Sequence, residues 1–259
     1  MQLAGKTHWS FSTRTIVYWI ATIIILLETA VGSYWDLAQI PFVQQVFVKL
    51  GYPSYLLYII GAWKIAAVFI LITPKLGRQK EWAYCGIFLI YITAAYSHIA
   101  AHDAAGAAGP IVFAVLSLLS WATRPDSRKW LIPETTTTTK TAFKIIYWVV
   151  TVITALVMLS GGFADIVMAS GPLEGMRQLG YPDFFTPLLG IYKALGGATI
   201  LLPNKRFRII KEWAYAGIIF DLTGASLSHA FVGNHMHIIW PWMFVVTTFV
   251  SWRLAAFRK

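Results

Sequence analysis

The pattern Leu50-Gly51-Tyr52-Pro53 returns as Leu179-Gly180-Tyr181-Pro182, a shift of 129 residues. The same shift carries Tyr18-Trp19 onto Tyr147-Trp148, Gly32 onto Gly161, Asp36 onto Asp165 and Gly61 onto Gly190. It also carries Lys64 onto Lys193 and Pro74 onto Pro203. After a two-residue insertion the shift becomes 131. Glu81-Trp82-Ala83-Tyr84 then meets Glu212-Trp213-Ala214-Tyr215, Ser97-His98 meets Ser228-His229, Pro110 meets Pro241, and Ser120-Trp121 meets Ser251-Trp252. A repeat of this kind requires one structural unit built twice. We read residues 1–123 as a first repeat, 124–143 as a linker and 144–259 as a second repeat.

Each repeat carries four apolar runs, near 14–35, 54–74, 82–101 and 105–123, then near 144–164, 184–203, 212–231 and 236–254. A helix needs about 20 apolar residues to cross a bilayer core. The runs are continuous rather than alternating, which selects helices over barrel strands. Composition agrees: 58% of residues are apolar and 12% charged, against about 25% charged in soluble domains. The expected fold is an all-α integral membrane protein with eight transmembrane helices in two four-helix bundle repeats, and the lipid bilayer is its main partner. The first run follows Lys6 and Arg14 in the manner of a signal peptide, but its counterpart at 144–164 lies mid-chain, so we expect it to be retained.

A formal charge of +10 would suggest nucleic acid if it formed one soluble patch. The basic residues instead fall in short clusters between apolar runs, which argues for no nucleic acid partner and for a positive-inside topology. With a cytoplasmic N-terminus, the inner segments hold Lys6, Arg14, Lys75, Arg78, Lys80, Arg124, Arg128, Lys129, Lys140 and Lys144. They also hold Lys205, Arg206, Arg208, Lys211, Arg253, Arg258 and Lys259. Of the 21 basic residues only Lys49 and Arg177 lie outside, and Lys64 and Lys193 lie within spans. Four spans per repeat make the two repeats parallel, in the same orientation, with both termini cytoplasmic. The linker, with Pro125, Pro133 and threonines at 135–139, reads as an exposed tether. Short interfacial helices are expected after spans 1 and 5. Phe42, Val43, Val46, Phe47 and Leu50 recur at helical spacing opposite Gln44, Gln45 and Lys49. Gly51 and Gly180 suit the ends of these helices, and Pro53 and Pro182 the first turn of the next spans.

A charge within a span costs about 2.5–3.5 kcal/mol on insertion scales. Lys64 and Lys193 sit near mid-span at matching depth, while Glu28 faces Val157 in the repeat alignment and Asp221 faces Ile90. One deep carboxylate per lysine suggests the ion pairs Lys64–Glu28 and Lys193–Asp221. Glu28, Gly32 and Asp36 share a helix face, as do Asp221, Ala225 and His229, and Ile90, Ala94 and His98. The candidate polar pocket therefore comprises Glu28, Asp36, Lys64, Ser97 and His98, with Asp165, Lys193, Asp221, Ser228 and His229. Gly32, Ser33, Gly161, Gly162, Gly196 and Gly197 leave room for close helix approach beside it. The competing reading makes the same residues packing pairs that hold the bundles together.

Five histidines gather on the outer side. His98, His102, His235 and His237 are candidate metal ligands, and His98 with His229 a candidate haem pair. No His-Glu-x-x-His or cysteine cluster supports either. Cys85 is the single cysteine, which excludes an internal disulfide or Cys-x-x-Cys pair. Glu81-Trp82 and Glu212-Trp213 read as helix-start and interface features. Phosphate-binding and nucleophile-elbow motifs do not occur.

A four-span unit with Gly61-x-x-Lys64 or Gly190-x-x-Lys193 in its second span resembles the DoxX-like family. The basic loop ending in Glu-Trp-Ala-Tyr and the Ser-His closing the third span carry the same resemblance, which extends over nearly the whole chain as two fused copies. The resemblance implies a bacterial inner-membrane protein with a four-helix bundle in each half. It also implies a link to an oxidoreductase, with the polar faces of the two repeats lining outward-facing pockets for a quinone or other small lipophilic molecule, and a soluble or membrane redox subunit as partner. The alternative is a non-catalytic factor that assembles or stabilises a membrane partner. A transporter is a third reading.

Overall fold

The computed structural model describes residues 12–130 and 141–255, with the side chains of residues 204 and 205 excepted. Lys6, the threonines at 135–139, Lys140, Arg258 and Lys259 lie outside the described residues, and with them most of the expected tether.

All eight apolar runs form helices. The first unit comprises α1 (Thr13–Leu37), α2 (Pro41–Leu50), α3 (Tyr55–Ile72), α4 (Gly77–Ala100) and α5 (Ala108–Thr123). The second comprises α6 (Thr141–Ile166), α7 (Ser170–Gln178), α8 (Phe185–Ile200), α9 (Asn204–Phe231) and α10 (Ile239–Ala255). Among the described residues there is no strand. Among the described residues five stretches are long and apolar enough to cross a membrane: Thr13–Leu37, Tyr55–Ile72, Gly77–Ala100, Thr141–Ile166 and His235–Ala255. The helices α5 and α8 have 16 residues each, just short of the usual span. The 28-residue α9 opens on a basic turn and bends at Phe207.

The short helices α2 and α7 stand where the amphipathic spacing places them. Left-handed Gly51 (φ 75) and Gly180 (φ 80) follow them and turn the chain towards the next span. Pro53 and Pro182 sit just ahead of α3 and α8, where their carbonyls accept from Leu56 and Phe185.

Within the first unit α1 packs on α3 and α5, and α4 closes the ring against the same two helices. The second unit repeats the arrangement with α6, α8, α9 and α10. Each ring has its own apolar core, around Ile25, Leu71, Ile87 and Tyr91 in one and Met158, Ile200, Ile218 and Leu222 in the other. Hydroxyl triads stitch each ring at matching positions. Ser120 joins Thr22 at 2.7 Å and Tyr84 at 2.8 Å, and Ser251 joins Thr151 at 2.6 Å and Tyr215 at 2.8 Å. This is what the repeated Ser-Trp serves, since a hydroxyl within a span needs an internal partner.

Two lysines of the basic loops are buried as helix caps. Lys80 donates to the carbonyls of Ile70 (2.7 Å), Leu71 (2.8 Å) and Thr73, and its repeat mate Lys211 donates to Leu202 (2.8 Å). Each ammonium satisfies carbonyls that the end of α3 or α8 leaves without helical donors.

The units meet along α4 and α9, with α3 also touching α9. At one end of this contact the Glu-Trp motifs cross over. Glu81 accepts from Trp121 (2.8 Å) and Arg124 (2.6 Å) of its own unit and from Trp213 (3.2 Å) of the other. Glu212 accepts from Trp252 (2.7 Å) of its own unit and from Trp82 (3.1 Å) and Arg78 (2.6 Å) of the first. These residues were expected to serve only the helix start and the membrane interface. They instead form a buried inter-unit knot, which a reading of each repeat in isolation cannot reveal. At the other end the two Leu-Gly-Tyr-Pro motifs face each other. A Cβ on Gly180 would lie 3.3 Å from Pro53, and one on Gly51 would lie 3.6 Å from Pro182. Tyr55 Oη donates to the Leu179 carbonyl at 2.7 Å.

Candidate functional site

Between these two seams lies a cavity of about 1630 Å³. It runs from α2 and α7 at one end to Trp82 and Trp213 at the other, and both units wall it. Glu28, Asp36, Lys64, Ser97, His98, Asp165, Lys193, Asp221, Ser228 and His229 all line it. Two outward-facing pockets were expected from the repeat. The structure joins them into one partly open space, because the inter-unit contact bridges the units at its two ends without filling the gap between them.

The ion pairing differs from the sequence expectation. Lys64 Nζ donates to Asp36 Oδ2 at 2.8 Å, and Lys193 Nζ donates to Asp165 Oδ2 at 2.8 Å. The pairs Lys64–Glu28 and Lys193–Asp221 do not form as direct contacts among the described residues. The bonded pairs therefore join repeat mates, Asp36 with Asp165 and Lys64 with Lys193. Gly61 and Gly190 make this approach feasible: a Cβ there would sit 3.2 Å or 2.8 Å from the aspartate Cβ. The repeated Gly-x-x-Lys is thus an approach site followed, one turn later, by the cation that the neighbouring helix pairs.

Glu28 and Asp221 stand beside these pairs as second carboxyl groups. Glu28 Oε1 and Lys64 Nζ both overhang Gly32, at 3.3 Å and 3.2 Å from where its Cβ would be. Glu28 Oε2 is enclosed and accepts no hydrogen bond. Asp221 feels the charge of Lys193 but accepts no hydrogen bond among the described residues. Each lysine centre therefore presents one ammonium and two carboxyl groups to the shared space, with the second carboxyl on α1 in one unit and on α9 in the other.

Towards α2 and α7 the repeated Ser-His motif divides its labour. Ser97 bonds Tyr52 Oη at 2.8 Å and Ser228 bonds Tyr181 Oη at 2.8 Å. The tyrosine of Leu-Gly-Tyr-Pro thereby locks to the third span of its own unit, and burial pushes the phenols of Tyr52 and Tyr181 up, so both remain neutral donors. The histidines part company. His98 Nδ1 lies 2.9 Å from Asp103 Oδ2, and Lys49 of α2 reaches the same oxygen at 2.7 Å. His229 stacks on His237 with ring centroids 5.4 Å apart, and His237 bonds Asn234 at 2.8 Å. The Lys49 and His98 bonds hold the Asp103 carboxyl down at about 2. In the second unit Gln178 and Asn234 occupy the places of Lys49 and Asp103, so this latch belongs to one unit alone.

Among the described residues no three His, Cys, Asp or Glu side chains group closely enough to hold a metal ion. His98 is engaged by Asp103, His102 stands beyond the end of α4 at φ 58, and His235 and His237 lie on a single turn of the other unit. The structure thus does not assemble His98, His102, His235 and His237 into one donor set.

The sequence profile of the DoxX-like family matches residues 20–120 and again 149–251. The chain belongs to the DoxX-like family. The two matched stretches coincide with the two helical rings, so this DoxX-like protein is a pair of fused units, and its apolar helices make it a membrane protein. No curated protein and no solved structure matches the chain.

Proposed function

We propose that this DoxX-like protein holds a small lipophilic molecule with a polar head in the chamber between its two units. One observation carries the reading: a single cavity of about 1630 Å³, walled mainly by apolar and aromatic side chains, contains both lysine–aspartate centres. Ligand sites combine such walls with a few convergent polar groups, and ionisable residues within a membrane mark functional positions. In the topology we propose, eight helices cross a bacterial inner membrane, the two units run parallel and both termini are cytoplasmic. The basic residues around α3–α4 and α8–α9 then face the cytoplasm, and α5 and α8 cross where the bundle and the local bilayer accommodate their length. A quinone serving an oxidoreductase partner is one occupant in keeping with this chamber.

Native mass spectrometry of the protein in mild detergent tests the reading. A retained small molecule, lost from the Lys64→Met and Lys193→Met variants, is the expected result. Protein carrying phospholipid alone, in wild type and variants alike, would overturn it.

A second reading is favoured by the closure of both lysines onto their own aspartates, which leaves each centre self-sufficient as a packing element. On that reading the protein assembles or stabilises a membrane partner. Deletion would then deplete that partner, while Lys64→Met would leave the partner's abundance unchanged.

A further inference from the structure

The two centres carry more acid than base. Lys64 faces Asp36 and Glu28, and Lys193 faces Asp165 and Asp221. In each centre the ammonium is bonded to the aspartate near the end of α1 or α6, and the remaining carboxyl accepts no hydrogen bond from any described residue. This happens twice, with the unbonded carboxyl supplied by unrelated positions, Glu28 on α1 and Asp221 on α9. An isolated carboxylate away from water is costly unless a cation or donor meets it. A ligand that brings only acceptor atoms is met only by a carboxyl that has taken up a proton, and an anion adds to the cost. A ligand that brings an ammonium group removes it.

The walls fit the same chemistry. Trp63 and Phe220, with ring centroids 5.5 Å apart, line the same chamber as Glu28 and Asp221. Aromatic faces beside a carboxylate are a favourable setting for an organic cation. From the paired excess of carboxyl groups and these walls, we propose that the chamber selects lipophilic monocations, with the head group at Glu28 or Asp221 and the apolar tail along the aromatic walls. This rests on the small-molecule reading above and narrows its head group.

The test uses the full chain in a neutral maltoside detergent at pH 7, with octylamine, octanol, octanoate and a short-tailed quinone as probes. Binding is followed by calorimetry and by the fluorescence of the chamber tryptophans. The expected result is saturable binding of octylamine about tenfold or more tighter than octanol, with octanoate weakest. Glu28→Gln with Asp221→Asn should bring the octylamine-to-octanol affinity ratio to about one. If the double variant does not fold, Glu28→Gln alone should lower it. Equal affinity for octylamine and octanol, a tighter quinone, or a preference untouched by the variants overturns the cation inference and leaves the small-molecule reading intact. Absence of saturable binding by any probe overturns both.

Discussion

The indole N–H of Trp82, in the first unit, donates to Glu212 of the second at 3.1 Å. Trp213 returns the bond to Glu81 at 3.2 Å. The exchange lets each unit complete the carboxylate shell of the other, so neither glutamate is fully satisfied within its own bundle.

Glu81 is fully buried and holds Arg124 at 2.6 Å. Replacing it with Ala strands the guanidinium and both indole donors. Removal of one partner of a buried pair costs about 3–5 kcal/mol, and Glu81→Ala should lower the melting temperature of the detergent-solubilised protein accordingly. Glu212→Ala should behave alike, because Arg78 and two indoles depend on it. A loss confined to one of the two variants would contradict the reciprocal knot.

The Lys64–Asp36 pair should reveal itself by non-additivity. Lys64→Met leaves Asp36 unpaired, and Asp36→Asn removes the charge that Lys64 meets at 2.8 Å. Contacting residues couple by about 0.5–3 kcal/mol. The double variant should therefore be less destabilised than the two single effects together, as measured by thermal unfolding. Pairing Lys64→Met with Glu28→Gln should show weaker coupling, in keeping with the bond going to Asp36.

Two glycines of neighbouring helices should answer oppositely to alanine. A Cβ at Gly190 would lie 2.6 Å from the Gly162 carbonyl and 2.8 Å from the Ile166 amide, whereas Gly161 has open space. Gly190→Ala forces α6 and α8 apart and should cost about 1–3 kcal/mol or more. Gly161→Ala should be neutral or stabilising by up to about 1 kcal/mol, through the lower entropy of the unfolded helix. Melting temperatures of the pair decide it.

The latch on α2 should withstand mild acid. Asp103 is held down at about 2 by Lys49 and His98. A carboxyl lowered on folding stabilises above its ordinary range, near 3.9, and loses that effect as the pH falls through its folded value. The protection of the α2 amides, taken relative to their intrinsic exchange rates, should thus keep the Asp103 contribution above about pH 4 and lose it between about pH 4 and 2. Asp103→Asn should show the faster exchange throughout, with α7 unaffected.

Much of the architecture is legible without coordinates, because a continuous apolar run in lipid has few options besides a helix, and a repeat of four such runs forecasts one ring built twice. The short helices α2 and α7 and their glycine ends were visible for similarly local reasons. Mid-span lysines announced their own importance through the cost of burying charge. Which carboxylate each lysine meets was not legible. Glu28 and Asp221 are the mid-span carboxylates of the sequence, but Gly61 and Gly190 let the first helix of each ring bring its aspartate against the lysine, and helix approach is a property of packed pairs. The same holds for Glu81-Trp82 and Glu212-Trp213, whose motif is local while its partners belong to the opposite unit. The sequence alone thus determined the helices, their duplication and the residues that needed a reason to be buried. Only the tertiary structure decided how those residues pair and that two expected pockets are one chamber, because hydrogen bonds and cavities depend on distances between helices that no periodicity encodes.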